Sequence, residues 1–97
     1  MTMPFDALEI PPTALDRGGV EILRAGIVEG GLHISLRRSF DDPQAWGIAL
    51  ADIARHVARI YAMETGAAES LTLERIRNML DAEFDTPSDP GSTTAIS

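Results

Sequence analysis

The sequence predicts an α+β domain: a small antiparallel sheet packed against two helices. Three patterns carry that reading. A period of two runs through residues 20–38, a period near 3.6 runs through 43–65, and a second helical period runs through 72–84. Turn-forming residues punctuate them: Gly18-Gly19, Gly30-Gly31, Asp42-Pro43, Gly66 and Pro87.

The strands come first. Residues 5–10 can form a short edge strand with Leu8 and Ile10 on one face, stopped by Pro11-Pro12. Thr13 to Arg17 can add one helical turn before Gly18-Gly19. Val20 to Val28 and Leu32 to Arg38 then read as a β-hairpin, in which Leu32, Ile34 and Leu36 alternate with His33, Ser35 and Arg37. With Gly30-Gly31 as the two-residue turn, Ile27 faces Ile34, Ala25 faces Leu36, Arg24 faces Arg37 and Leu23 faces Arg38. Leu23, Ala25 and Ile27 then share a core face with Leu32, Ile34 and Leu36. Ile22, Arg24, Gly26 and Val28 share the outer face with His33, Ser35 and Arg37. A one-residue slip would mix the two sets.

The helices follow. Asp42 is a good N-cap, Pro43 a good first helical residue and Gly66 a natural stop. Between them Trp46, Leu50, Ile53, Val57, Ile60 and Tyr61 fall within about 100° of one another. Gly47, Ala51, Ala54 and Ala58 form a neighbouring strip of small residues, and Asp52, Arg55 and Arg59 lie opposite the large stripe. For the second helix, Thr72 can cap and Leu71 with Ile76 can form a hydrophobic staple. Its stripe is Leu73, Ile76, Leu80 and Phe84, and Pro87 ends it.

The chain has 97 residues, which makes one domain. Residues 1–19 are an N-terminal segment, 20–85 hold the hairpin and the two helices, and 86–97 read as a disordered tail rich in Pro, Ser, Thr and Gly. Eight basic residues, all arginine, stand against 15 acidic ones, for a net charge of −7. That balance argues against binding nucleic acid or an anionic membrane surface. Aromatic content of 5% leaves few platforms on which bases could stack. The chain has no cysteine, no basic-then-apolar leader at Met1 to Asp6 and no long apolar run, so the expectation is a soluble cytoplasmic protein.

Chemistry has little to attach to. No phosphate-cradling glycine loop is present, and a zinc site lacks ligands with no Cys and only two His. Asp52 and His56 stand i,i+4 on the long helix, a spacing that suits a surface pair as well as an ion. Asp41-Asp42 is explained by capping and by the helix dipole. Ser39 and His56 do not assemble a triad from sequence alone. The expectation is therefore no catalytic residue, no cofactor and no metal.

Phe40-Asp41-Asp42-Pro43, Trp46-Gly47 and the run from Leu50 to His56, preceded by Leu32 to Leu36, together resemble a family of small uncharacterised bacterial proteins classed as a domain of unknown function. The resemblance spans about residues 5–85. It implies a single-domain bacterial protein and no particular reaction.

Two functional readings remain. The first is a non-catalytic interaction or regulatory module that binds a protein partner or a second copy of itself. Its candidate interface is Ile22, Val28, Ile48, Arg55 and Arg59, where apolar or basic residues sit on otherwise polar faces. The second is a small-molecule or anion site built from Arg24, His33 and Arg37, since an anion would relieve two arginines facing each other across the hairpin. A small enzyme ranks third.

Overall fold

The structure is a computed structural model that describes residues 4–88 and 92–96. Its elements run α1 (Pro12–Arg17), β1 (Leu23–Val28), β2 (Gly31–Arg37), α2 (Gln44–Thr65), α3 (Glu69–Asp85) and β3 (Ser92–Ile96). The class is α+β: a three-stranded mixed sheet and two long helices.

The hairpin forms with both faces as expected, but its register differs by two residues. Leu23 pairs with Leu36, Arg24 with Ser35, Ala25 with Ile34, Gly26 with His33, Ile27 with Leu32 and Val28 with Gly31. The turn is Glu29-Gly30, not Gly30-Gly31, and both residues take positive φ, 51° and 84°. That is the signature of a type I′ turn, whose twist matches that of the strands. An even shift keeps every side chain on its face. It also improves the pairs: Leu23 meets Leu36 instead of Arg38, Ile27 meets Leu32, and Arg24 no longer faces Arg37. Better cross-strand pairs outweigh the strain of a positive φ at Glu29.

The third strand lies at the other end of the chain from the one expected. Residues 5–10 carry no regular structure. Part of the segment read as a tail forms β3 instead, beside β2 in the order β1-β2-β3. It runs parallel to β2, with His33 opposite Ser92 and Arg37 opposite Ile96. Thr93, Thr94 and Ile96 are β-branched and suit a strand. The Pro-Ser-Gly composition just before them masks that signal. Residues 89–91 and 97 of the expected tail, and 1–3 of the N-terminal segment, lie outside the described residues.

α2 begins one residue later than the capping signal suggests. Asp42 Oδ1 accepts a hydrogen bond from Gln44 N at 2.9 Å, and Ala45 N donates to the Asp42 carbonyl at 3.0 Å. Gly66, at φ 76°, ends the helix by donating its N–H to the Ala62 carbonyl at 3.1 Å. α3 begins at Glu69, three residues ahead of the expected Thr72 cap. Thr72 sits inside the helix and donates its N–H to the Ala68 carbonyl at 3.0 Å. An acidic Glu69 in the first turn favours this earlier start.

The helices pack on each other and the strands pair with each other, but the two halves stay apart. Among the described residues no helix Cα lies within 8 Å of a strand Cα. The expected class is present, while the expected layering of helices on sheet is not made within one chain. Only Ala58 is fully buried among the described residues. The chain exposes 8568 Å², where a compact protein of 10.5 kDa exposes about 5,400 Å². Its radius of gyration is 15.4 Å against about 12.5 Å for compact packing.

Candidate functional site

The large uncovered surfaces are apolar, and α2 shows why. α3 packs on the small-residue side of α2, where Ala58 is fully covered and Ala54 and Ala62 are half-buried. Small side chains let the two helices approach closely. Leu73 and Ile76 of α3 are half-buried. The large stripe of α2 points elsewhere: Leu50 is 50% exposed and Ile53 42%, and Val57, Ile60 and Tyr61 are exposed as well. At its start Trp46 is anchored, donating Nε1–H to the Arg38 carbonyl at 2.9 Å and meeting the Phe40 ring edge-on with centroids 5.3 Å apart.

The sheet repeats the pattern. On its apolar face Leu23, Ile34 and Leu36 are half-buried, but Leu32 is exposed and Ile27 is 72% exposed. The outer face is partly occupied by the chain itself. The Phe5 ring lies against Gly26 so closely that a Cβ there would have to push the ring aside. Between the N-terminal segment, α1 and β1 runs an open cleft of about 790 Å³ whose walls include Phe5, Leu8, Leu15 and Leu23.

The proposed anion site is arranged differently from its sequence reading. Arg24 faces Ser35, and its guanidinium is held by Glu21, with Nε and Nη2 donating to the two carboxylate oxygens at 3.2 and 2.9 Å. Arg37 Nε donates to the Glu21 backbone carbonyl at 3.3 Å. Both arginines thus converge on Glu21, and the chain's own carboxylate meets Arg24. His33 sits opposite Gly26 on one side and Ser92 on the other.

The candidate interface residues fall in two groups, Ile22 and Val28 in the hairpin region and Ile48, Arg55 and Arg59 on one face of α2. Ile22 is half-buried, Val28 and Ile48 are exposed, Arg55 pairs with Asp52 at 2.8 Å, and Arg59 reaches Glu69 across the helix pair at 3.7 Å. Leu50, Ile53, Val57 and Ile60, on another face of α2, carry the strongest apolar periodicity, which reads in the sequence as the core of a single chain. A contrary signal is present there too. From Ile60 round to Ala62 the apolar arc of α2 spans about 200°, too wide for a helix covered on one side only.

No ionisable side chain is buried among the described residues. No cluster of three or more His, Asp or Glu that could hold a metal occurs among them, and no helix there is long and apolar enough to cross a membrane.

Comparison with known proteins places the chain. A model of the family described as "Domain of unknown function (DUF5076)" matches residues 7–88, and the chain belongs to that family. No protein of curated function matches it. Four chains of solved structure do match. One, described as a "putative pyruvate dehydrogenase" from the photosynthetic bacterium Rhodopseudomonas palustrus CGA009, is 43% identical over 100% of both chains, with a TM-score of 0.74.

Proposed function

We propose that this chain is a non-catalytic interaction module that works through protein contacts, its apolar faces covered by another polypeptide. The observation that carries the reading is the exposed area, about 3,000 Å² beyond that of a compact chain of this mass. If a little over half of that is apolar, leaving it wet forgoes roughly 40 kcal/mol of gross stabilisation. Net stabilities of whole domains are about 5–15 kcal/mol. A partner that covers these faces supplies what the lone fold lacks.

Acid–base or nucleophilic work needs a side chain whose surroundings tune it. Here no ionisable side chain is buried among the described residues, and Asp52 pairs with Arg55.

The test is native mass spectrometry of the chain isolated gently from its own cells, joined to sedimentation across a concentration series. A defined assembly, with itself or with another protein, is the expected result. A bare monomer at micromolar concentration that unfolds cooperatively, with a midpoint independent of concentration, would overturn the reading. A reproducible added mass of a few hundred daltons on a monomer would replace it with the small-molecule reading.

A further inference from the structure

We infer that the partner is a second copy of this chain, docked with its α2 antiparallel to the first α2 across a twofold axis at Ile53. This rests on the interaction reading above and names its occupant.

The spacing of the uncovered stripe points to a helix. Trp46, Leu50, Ile53, Val57 and Ile60 follow one another at intervals of 4, 3, 4 and 3 residues. That alternation is the seam of a coiled coil, where each side chain fits between those of a facing helix. The stripe runs along a helix of 22 residues, about 33 Å, and its middle members are exposed.

The order of residues points to a copy of the same helix. A twofold interface brings the residue n positions before the axis against the residue n positions after it. Measured from Ile53, Trp46 and Ile60 stand seven residues away on either side, while Leu50 stands three before and Val57 four after. The stripe is thus nearly palindromic, so one apolar surface can complement itself.

Charge agrees. The positions flanking the seam are Gly47, Ala54 and Tyr61 on one side and Ala49, His56 and Met63 on the other, with no carboxylate or guanidinium among them. A chain of net charge −7 can therefore meet its copy along these flanks without facing acid against acid, and only at the two ends does the register set Glu64 opposite Asp42 of the partner subunit. Direction follows from Glu64, which continues the heptad after Ile60. Parallel helices would press the two Glu64 carboxylates together across the seam. The antiparallel arrangement holds them roughly 33 Å apart and sets each at the N-terminal end of the facing α2, where the helix dipole favours a carboxylate.

Area sets the scale. A standard interface removes about 800 Å² from each partner, and obligate ones roughly 1,000–2,500 Å². The excess surface of the whole chain, about 3,000 Å², is large enough to include an interface of this kind, and the exposed α2 seam is part of it. The same pairing joins two α2–α3 hairpins into a four-helix layer.

The chain has no cysteine, so a single introduced one reports a single contact. The full-length variants Ile53→Cys and Ile60→Cys are oxidised mildly and run without reductant, alongside the native mass of the parent. In Ile53→Cys the two introduced thiols adjoin at the axis, and more than half the chains should cross-link. Residue 60 stands about 21 Å from its copy, so that variant should stay uncross-linked. Cross-linking of both variants would mean parallel helices and overturn the inference. A parent that is dimeric while neither variant cross-links would place the copy on another face, overturning the inference and leaving the interaction reading intact. A parent that is a folded monomer would overturn both.

Discussion

Ala58 and Ile53 lie on one helix, five residues and about 140° apart, yet the small side chain is fully covered and the large one is 42% exposed. The side of α2 that packs within the chain is made of alanines, and the side with the greater apolar area is left open. Close approach explains the first: α3 can lie against α2 because little projects between them. The second has no such account within one chain, since the sheet face that could receive the stripe is itself open at Ile27 and Leu32. Covered area here marks the surface that serves the chain's own helical hairpin, and the open area is the surface proposed to receive a second copy.

The largest expected effect comes from the covered side. Ala58→Asp places a carboxylate with no partner between α2 and α3, and should cost about 3–5 kcal/mol by denaturant unfolding. Ile53→Ala sharpens the contrast. If the open side is covered in the working assembly, the variant should lose roughly 2–3 kcal/mol, within the buried range. The parent's unfolding midpoint should also rise with protein concentration. A loss under about 0.5 kcal/mol, with a midpoint insensitive to concentration, would mean that the stripe stays wet.

That contrast also marks what is legible in the sequence. Element types and faces are readable because they follow from periodicity: the hairpin alternates, and α2 runs from the Asp42-Pro43 signal to Gly66. Register is less readable. Glycines at both 30 and 31 permit two turns with identical face segregation, and only the cross-strand pairs choose between them. β3 is hidden because Thr93, Thr94 and Ile96 follow a Pro- and Gly-containing stretch, and their pairing with β2 is a long-range contact. The α2 stripe is plain in the sequence, but its exposure is not. Periodicity marks a face as apolar and says nothing of what covers it. The outer hairpin arginines need the register first: Arg24 and Arg37 face each other only in the pairing that is not adopted.

A smaller effect separates local from intermolecular contributions. Glu29 holds φ 51° in the hairpin turn, a left-handed conformation that asparagine adopts more readily. Glu29→Asn should stabilise by about 0.5–1 kcal/mol. Because the turn is local, the gain should be the same at every protein concentration, unlike the loss at Ile53. A gain that changed with concentration would place the turn in the interface and blur the division between local contacts and those between chains.

The smallest effect concerns the outer hairpin face. The Glu21–Arg24 pair is exposed on both sides, and such pairs contribute little, so Glu21→Gln should change stability by less than about 0.5 kcal/mol. Its value is what it releases. With Glu21 in place, Arg24's guanidinium is satisfied on two nitrogens, and millimolar phosphate should leave the amide spectrum of β1 unchanged. With glutamine there, the charge beside Arg24 is gone, and phosphate should move the amide signals of Arg24 and its neighbour Ser35. Shifts of equal size in parent and variant would show an anion site that tolerates Glu21, and the outer face would then join the open faces as a place of contact. Shifts in the variant alone would mean that this face, unlike the α2 stripe, is completed within the chain.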